Sequence, residues 1–314
     1  MTATVTDDSE VGAVVATLSL APGTTFPLAR SGAAYAAEIA LADLPFDTFE
    51  GEVTAAVRAT DGAGNEATAE AAAPVGVTRL RWTYEAGLPL SAPAVTDDGV
   101  IVLSRAGSSN QALAVTADGT LAWEVSIGTQ VVNAAPMVGA GAIWFPSTNG
   151  TLYQVALDGT KRDAECATGG ALNAPAALAG SNLTFAVVGS EANSLYVANN
   201  QGACMQEPVG AGVKVSPVVG RDGTLFAVLG SVLQAFEMGS GGGLNDVWTS
   251  PPTVGTGSAS LALDSDGHAW TVSSLGAVNR TSDGSAVAIG TAAADANGLI
   301  ILPDGSAVLG DDSG

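Results

Sequence analysis

Residues 112–123 read ALAVTADGTLAW: a short apolar run, a turn at Asp118-Gly119, a second short run and a tryptophan. Asp-Gly between two apolar runs signals a hairpin, because such turns need residues that tolerate positive φ. One hairpin leaves the fold open, and its recurrence decides it. From about residue 80 onward an apolar run, usually opened by a small residue and Pro, is closed by a turn at Gly or Asn. The units are APAVTDDGVIV (Gly99), APMVGAGAIWF (Gly141), APAALAGSNLTF (Asn182), SPVVGRDGTLF (Gly223), SLALDSDGHAW (Gly267) and AAADANGLIIL (Gly298). Successive gaps are 42, 41, 41, 44 and 31 residues. A second hairpin follows about twenty residues later in most units, at Gly119, Gly159, Gly202 and Gly284. Two hairpins per period of ~40–45 residues make one four-stranded propeller blade.

The inner strands of such blades are buried on both faces, so they read as continuous apolar runs and not as alternation. TLFAVLGSVLQAF at 224–236 has that form. The recurring Ala/Ser-Pro openings, the Asp-Gly turns and the tryptophans Trp123 and Trp248 after the second hairpin make residues 77–314 resemble a pyrroloquinoline-quinone-like (quinoprotein-type) β-propeller. The resemblance implies that these tryptophans dock on the neighbouring blade. It also implies that Trp82, in VTRLRWTY, lies where an N-terminal strand completes the last blade. Asp163 occupies the corresponding tryptophan position in the second unit, and the third unit has no aromatic residue there. About five blades read as complete and a sixth as partial, so the expectation is either a fragment, whose ring of six to eight blades closes with sequence beyond Gly314, or a smaller ring.

Residues 1–76 lack the repeat. Strand-like pieces separated by turn residues every 8 to 12 positions suit a small β-sandwich. VTAAVRATDGAGNEATAEA resembles the last hairpin of bacterial immunoglobulin-like domains, with its turn from Ala59 to Asn65. Ala-rich helices at 33–44 or 66–73 are the local alternative. AAAPVGV at 71–77 reads as the linker. The predicted architecture is thus all-β: an immunoglobulin-like sandwich (1–76) followed by a propeller (77–314).

Ten Lys and Arg stand against 31 Asp and Glu, a net charge of −21 that repels phosphate backbones and anionic headgroups and excludes nucleic acid as a partner class. The hydrophobic fraction is 47%, yet no apolar stretch reaches the ~20 residues of a membrane span, so direct membrane insertion is not expected. The first twenty residues lack a basic start and do not form a secretory signal.

Candidate sites are few. Asp264 and Asp266 in DSDG, and Asp61 and Asn65 beside Asp7 and Asp8, are weak calcium candidates, because neither stretch supplies a spaced acidic ladder and ordinary Asx-turns explain both. His268, the single histidine, follows a turn, and without a G-x-S-x-G elbow it reads as a surface residue. Cys166 and Cys204 bracket one blade on successive outer hairpins, so a disulfide between them is expected, with free thiols as the alternative. That bridge would place the protein outside a reducing compartment. GSGGGLND at 239–246 lacks the Lys-Ser/Thr and following helix of a phosphate loop and reads as a hairpin connection.

Quinoprotein dehydrogenases hold calcium, a basic Asp and often an adjacent-cysteine disulfide. This chain has no Cys-Cys pair and no basic cluster for the cofactor's three carboxylates. The expectation is therefore a bacterial, non-enzymatic, secreted or cell-surface (or periplasmic) protein without a cofactor, in which the propeller binds a protein or glycan ligand. The alternative is a divergent quinoprotein-type oxidoreductase or hydrolase with its site on the blade-top loops. A third reading likens the propeller to outer-membrane assembly lipoproteins, against which the missing lipobox cysteine weighs.

Overall fold

A computed structural model of the chain describes residues 2–6, 10–39, 50–78, 80–106, 110–128, 134–139, 141–163, 165–180, 182–255, 257–292 and 298–310. The chain divides into two compact units, Met1–Thr83 and Tyr84–Gly314. Among the described residues no helix is long and apolar enough to cross a membrane.

In the first unit, Thr2–Ala3, Ala34–Ala36 and Ala29–Ser31 form one antiparallel sheet, while Thr25–Pro27, Val11–Leu18, Ala55–Asp61 and Glu66–Glu70 form another. Buried Val14, Ala16 and Leu28 gather Ala3 and Tyr35 from the first sheet and Phe26, Val57 and Ala59 from the second, so the two sheets share a core. The Ala-rich stretches that suggested helices include the strands Ala34–Ala36 and Glu66–Glu70, because pairing with neighbouring strands overrides the helix propensity of Ala and Glu. The stretch read as a linker carries a strand as well: Val75–Thr78 pairs with Glu50–Val53.

Among the described residues, the second unit contains five four-stranded antiparallel sheets and a two-stranded one. Blade I is Ala94–Val95, Ile101–Arg105, Asn110–Val115 and Leu121–Gly128; blade II is Met137–Gly139, Ala142–Pro146, Thr151–Val155 and Cys166–Ala167. Blade III is Ala177–Ala179, Phe185–Ser190, Ser194–Asn199 and Cys204–Pro208; blade IV is Val218–Val219, Leu225–Leu229, Val232–Met238 and Leu244–Asp246. Blade V is Ser258–Leu263, Ala269–Ser273, Ala277–Ser282 and Ser285–Thr291, and the sixth sheet is Gly298–Ile301 with Ala307–Gly310. The first strands of successive blades are neighbours, which is the propeller arrangement. Second strands such as Ala142–Pro146 and Ala269–Ser273 are buried at every residue, whereas outer strands such as Ser285–Thr291 are largely exposed. Layers on both faces explain the continuous apolar runs in the sequence.

Two turn residues change. The third unit turns over 180–183 as expected, with the positive φ angles at Gly180 (84°) and Leu183 (51°) and not at Asn182. In the sixth unit Gly298 begins a strand and the turn glycine is Gly305 (φ 83°), which removes the anomalously short last gap.

The blades are joined by side chains of their outer strands. Trp123 of blade I donates from Nε1 to Leu157 O at 3.0 Å and packs over Gly159, where a Cβ would lie 2.6 Å from the indole. Trp248, past the last strand of blade IV, stands 3.4 Å from the Cβ position of Gly284 in blade V. Met205 of blade III packs in the same way on Gly242 of blade IV, with its Cε 2.5 Å from the Cβ position. In blade II the place is taken by Arg162, which donates to Asn200 O of blade III at 2.6 Å and to Gly141 O at 2.7 Å. Cys166 and Cys204 are bonded across that same junction, with Cα atoms 5.5 Å apart. Trp82 lies outside any strand, partly buried, in the first unit.

Candidate active site

Strand direction alternates within a blade, so the first and third turns lie at one end of the propeller. Most turn aspartates there are used locally. Asp118 accepts from Thr116 Oγ1 and Thr120 Oγ1, Asp222 from Thr224 N (3.0 Å) and Oγ1 (2.9 Å), and Asp304 from Ser306 N (2.9 Å) and Oγ (2.5 Å). These bonds hold the three carboxyls below their ordinary range. Asp61 does likewise in the first unit: Oδ1 accepts from Ala63 N and Asn65 N, and Oδ2 from Asn65 Nδ2 at 2.7 Å. Its neighbours Asp7 and Asp8 lie outside the described residues.

The turn of blade V departs from this rule. Gly267 adopts φ 86°, and Oδ1 of Asp264 accepts from Asp266 N (3.0 Å) and His268 N (2.9 Å), which closes the turn. The strand that follows puts His268 and Trp270 on one side, as residues two apart must be. Strand register sets Arg280 opposite Trp270. Oδ2 of Asp264 accepts from Trp270 Nε1 at 3.0 Å and from Arg280 Nε at 3.1 Å. The guanidinium lies over the indole, 5.8 Å from its centroid, and Arg280 Nη2 stands 2.7 Å from His268 Nδ1. Asp264 oxygens lie 3.2 and 3.3 Å from that nitrogen.

Burial of Asp264, whose side chain is 7% exposed, would raise its pKa. The bonds from Trp270, His268 N and Arg280 outweigh burial and hold the carboxyl well below the usual value of 3.8. Arg280 has no acceptor atom, so it donates to Nδ1, and the neutral imidazole carries its proton on Nε2. His268 occupies the position after the turn glycine where Thr120 and Thr224 bond the preceding aspartate in other blades. Asp266 consequently has no hydroxyl at that position to bond its carboxylate. Its oxygen lies within 4.8 Å of the His268 ring nitrogen.

Asp264, Asp266 and His268 are close enough to suggest a cation site. The donor set does not suit one: both Asp264 oxygens already accept two hydrogen bonds each, and the Arg280 guanidinium faces the imidazole. Proton transfer suits this group better than metal binding. Two clefts adjoin it. One of about 530 Å³ is lined by Asp222, Asp264, Asp266, Leu263, Ile301 and Leu302, and one of about 270 Å³ by Asp222, Asp266, His268 and Thr281 among others. The sequence singled out Asp264, Asp266 and His268 but not Arg280, which strand register alone delivers.

No protein-family model and no curated protein matches the chain. Among solved structures, virginiamycin B lyase from Staphylococcus aureus matches at 14% identity and TM-score 0.54, over 80% of this chain and 85% of that one. The chain shares the propeller fold. A catalytically inactive histidine-to-alanine variant of the Staphylococcus aureus lyase, solved with quinupristin, matches at 15% identity and TM-score 0.51, over 82% of this chain and 88% of that one. BamB from Moraxella catarrhalis matches at 14% identity and TM-score 0.51, over 74% of this chain and 83% of that one. The expectation of a non-enzymatic platform is corrected by the lyases: the fold that suggested a scaffold is shared with enzymes.

Proposed function

We propose that the chain is an acid–base enzyme of the lyase or hydrolase class, acting on carbonyl compounds such as esters or lactones in the clefts beside His268. The observation that carries this reading is the His268–Asp266 pair: an imidazole bonded at Nδ1 by Arg280, which Asp264 holds in place, next to a carboxylate that no turn hydroxyl engages. The Nε2 proton of His268 donates to the substrate's carbonyl oxygen and stabilises the negative charge that develops there. Asp266 accepts the proton: in an elimination from the carbon beside a carbonyl, as the bond from the next carbon to the ester oxygen breaks and a carboxylate leaves, or in a hydrolysis from water, whose oxygen adds to the carbonyl carbon before the acyl–oxygen bond breaks and the alcohol leaves with the proton returned by Asp266. Asp264 and Arg280 are positioning residues that fix the imidazole tautomer and ring plane. A histidine is also the residue replaced in the inactive variant of the virginiamycin B lyase.

The larger cleft favours this class over a quinone-dependent oxidoreductase, since against the single Arg221 it sets Asp222 and Asp266, besides the Arg280-paired Asp264, too little positive charge for a tricarboxylate cofactor. For the rest of the chain, the reading keeps a quinoprotein-type repeat, supported by the docked tryptophans, and an immunoglobulin-like first unit, supported by two sheets over one core. It places the protein in an oxidising compartment, at the cell surface or in the periplasm, supported by the Cys166–Cys204 bond.

The test incubates the protein with quinupristin and a panel of esters and lactones and follows products by mass spectrometry. From a lactone, a lyase product keeps the substrate's mass and a hydrolase product gains a water; from an open-chain ester, a lyase gives an acid and an alkene and a hydrolase an acid and an alcohol. His268→Ala and Asp266→Asn are each expected to lower the rate by about 100-fold. Wild-type rates in both variants, or no product from any substrate, overturn the reading.

A further inference from the structure

The smaller cleft, between the turns of blades IV and V, has a chemistry of its own. Three carboxylates line it: Asp222, Asp266 and Asp283. Its apolar wall is the pair Phe226 and Trp248, with ring centroids 5.7 Å apart and planes tilted by 57°. Among its described lining residues there is no Lys or Arg. Asp222 is hydrogen-bonded by Thr224 yet keeps its charge, because those donors are neutral.

A further group bears on what enters. Thr281 lines the cleft, is 1% exposed, and its Oγ1 has no hydrogen-bond partner. A buried hydroxyl left unbonded costs roughly 1–3 kcal/mol, so an oxygen in this position calls for a donor from outside the protein. Carboxylates, aromatic faces and an idle oxygen acceptor together describe a receptor for a donor-bearing cation. A volume of about 270 Å³ is below the range of a drug-sized pocket and suits one headgroup.

We propose that this cleft binds an organic ammonium group, with its N–H bonds directed to Asp266, Asp222 and Thr281 Oγ1 and its carbon flank against Phe226 and Trp248. The proposal rests on the reading of these clefts as the substrate site and adds a substrate class: a carbonyl compound bearing an amine. Its apolar remainder would lie in the larger cleft against Leu263, Ile301 and Leu302, which Asp222 and Asp266 also border.

The probe is benzylamine, protonated at neutral pH, with benzyl alcohol as its uncharged counterpart, each titrated into the full chain by calorimetry or ligand-observed NMR. Benzylamine is expected to bind saturably and benzyl alcohol at least about tenfold more weakly, the loss that follows from one charge-assisted hydrogen bond. Thr281→Val, which keeps shape and removes the idle hydroxyl, is expected to raise the melting temperature and weaken benzylamine binding by about tenfold. Asp266→Asn is expected to weaken it as well. Equal binding of the two probes, or wild-type affinity in Thr281→Val, overturns the proposal. Catalysis is read separately. Turnover that depends on His268 and Asp266 without preference for the amine sinks this inference alone, and amine binding without turnover sinks only the enzymatic reading.

Discussion

Gly159 and Gly223 both sit near φ +88°, and a comparison of only those angles would treat them alike. Their surroundings differ: a Cβ at Gly223 meets nothing within 4 Å, while one at Gly159 strikes the Trp123 ring at 2.6 Å. Gly223→Ala should cost about 1–2 kcal/mol, the penalty of a side chain in the left-handed region. Gly159→Ala should cost about 2–3 kcal/mol more, because the indole must move. Denaturant unfolding of both variants measures the difference, and equal losses would show that Trp123 does not bear on Gly159. At this scale the turn glycines were legible in the sequence, since positive φ leaves few residue choices. Gly298 was misread because Asn-Gly is a turn signal by composition, while pairing with Leu309 and its neighbours makes the segment a strand. The role of His268 was visible only as a departure, Asp-Gly-His where other blades have Asp-Gly-Thr. Arg280, 12 residues further on, carries no local mark, because register across a strand pair brings it to the site.

At the level of the blade, one job is done by three kinds of side chain. Trp123, Met205 and Trp248 each cover a turn glycine of the next blade, and Arg162 caps a turn carbonyl instead. The sequence exposed the tryptophans and hid the other two, since a flexible thioether or guanidinium reaches a similar place with no aromatic signature. The junction between blades II and III, where an arginine replaces the ring, is also the one crossed by Cys166–Cys204. Closing a 38-residue loop is worth about 4 kcal/mol in the chain-entropy account. The double variant Cys166→Ala/Cys204→Ala should therefore melt on the order of 10 °C below wild type, and so should the reduced protein. A calorimetric scan that shows no shift would mean that Arg162 and the shared core alone hold the junction.

For the molecule as a whole, the excess of acid is spread over turns whose aspartates are held below their ordinary range by their own hydrogen bonds. A carboxyl with a depressed pKa in the folded state contributes stability that is complete above its unfolded value near 3.8 and disappears as pH falls toward its folded value. Stability should thus decline below about pH 4, and Asp264→Asn, which removes the most strongly shifted group, should flatten that decline. The same variant should cost about 2 kcal/mol at neutral pH, because Trp270 and Arg280 lose a charged acceptor. Chemical denaturation between acidic and neutral pH checks both, and an unchanged acid slope would remove Asp264 from the account. The direction of the blade contacts has one more result. Each docking side chain reaches forward along the chain, so a blade made by the ribosome is completed only when the next one's outer turn has emerged. In blade V the corresponding Val287, three residues past its turn glycine as Arg162 and Met205 are past theirs, is 58% exposed.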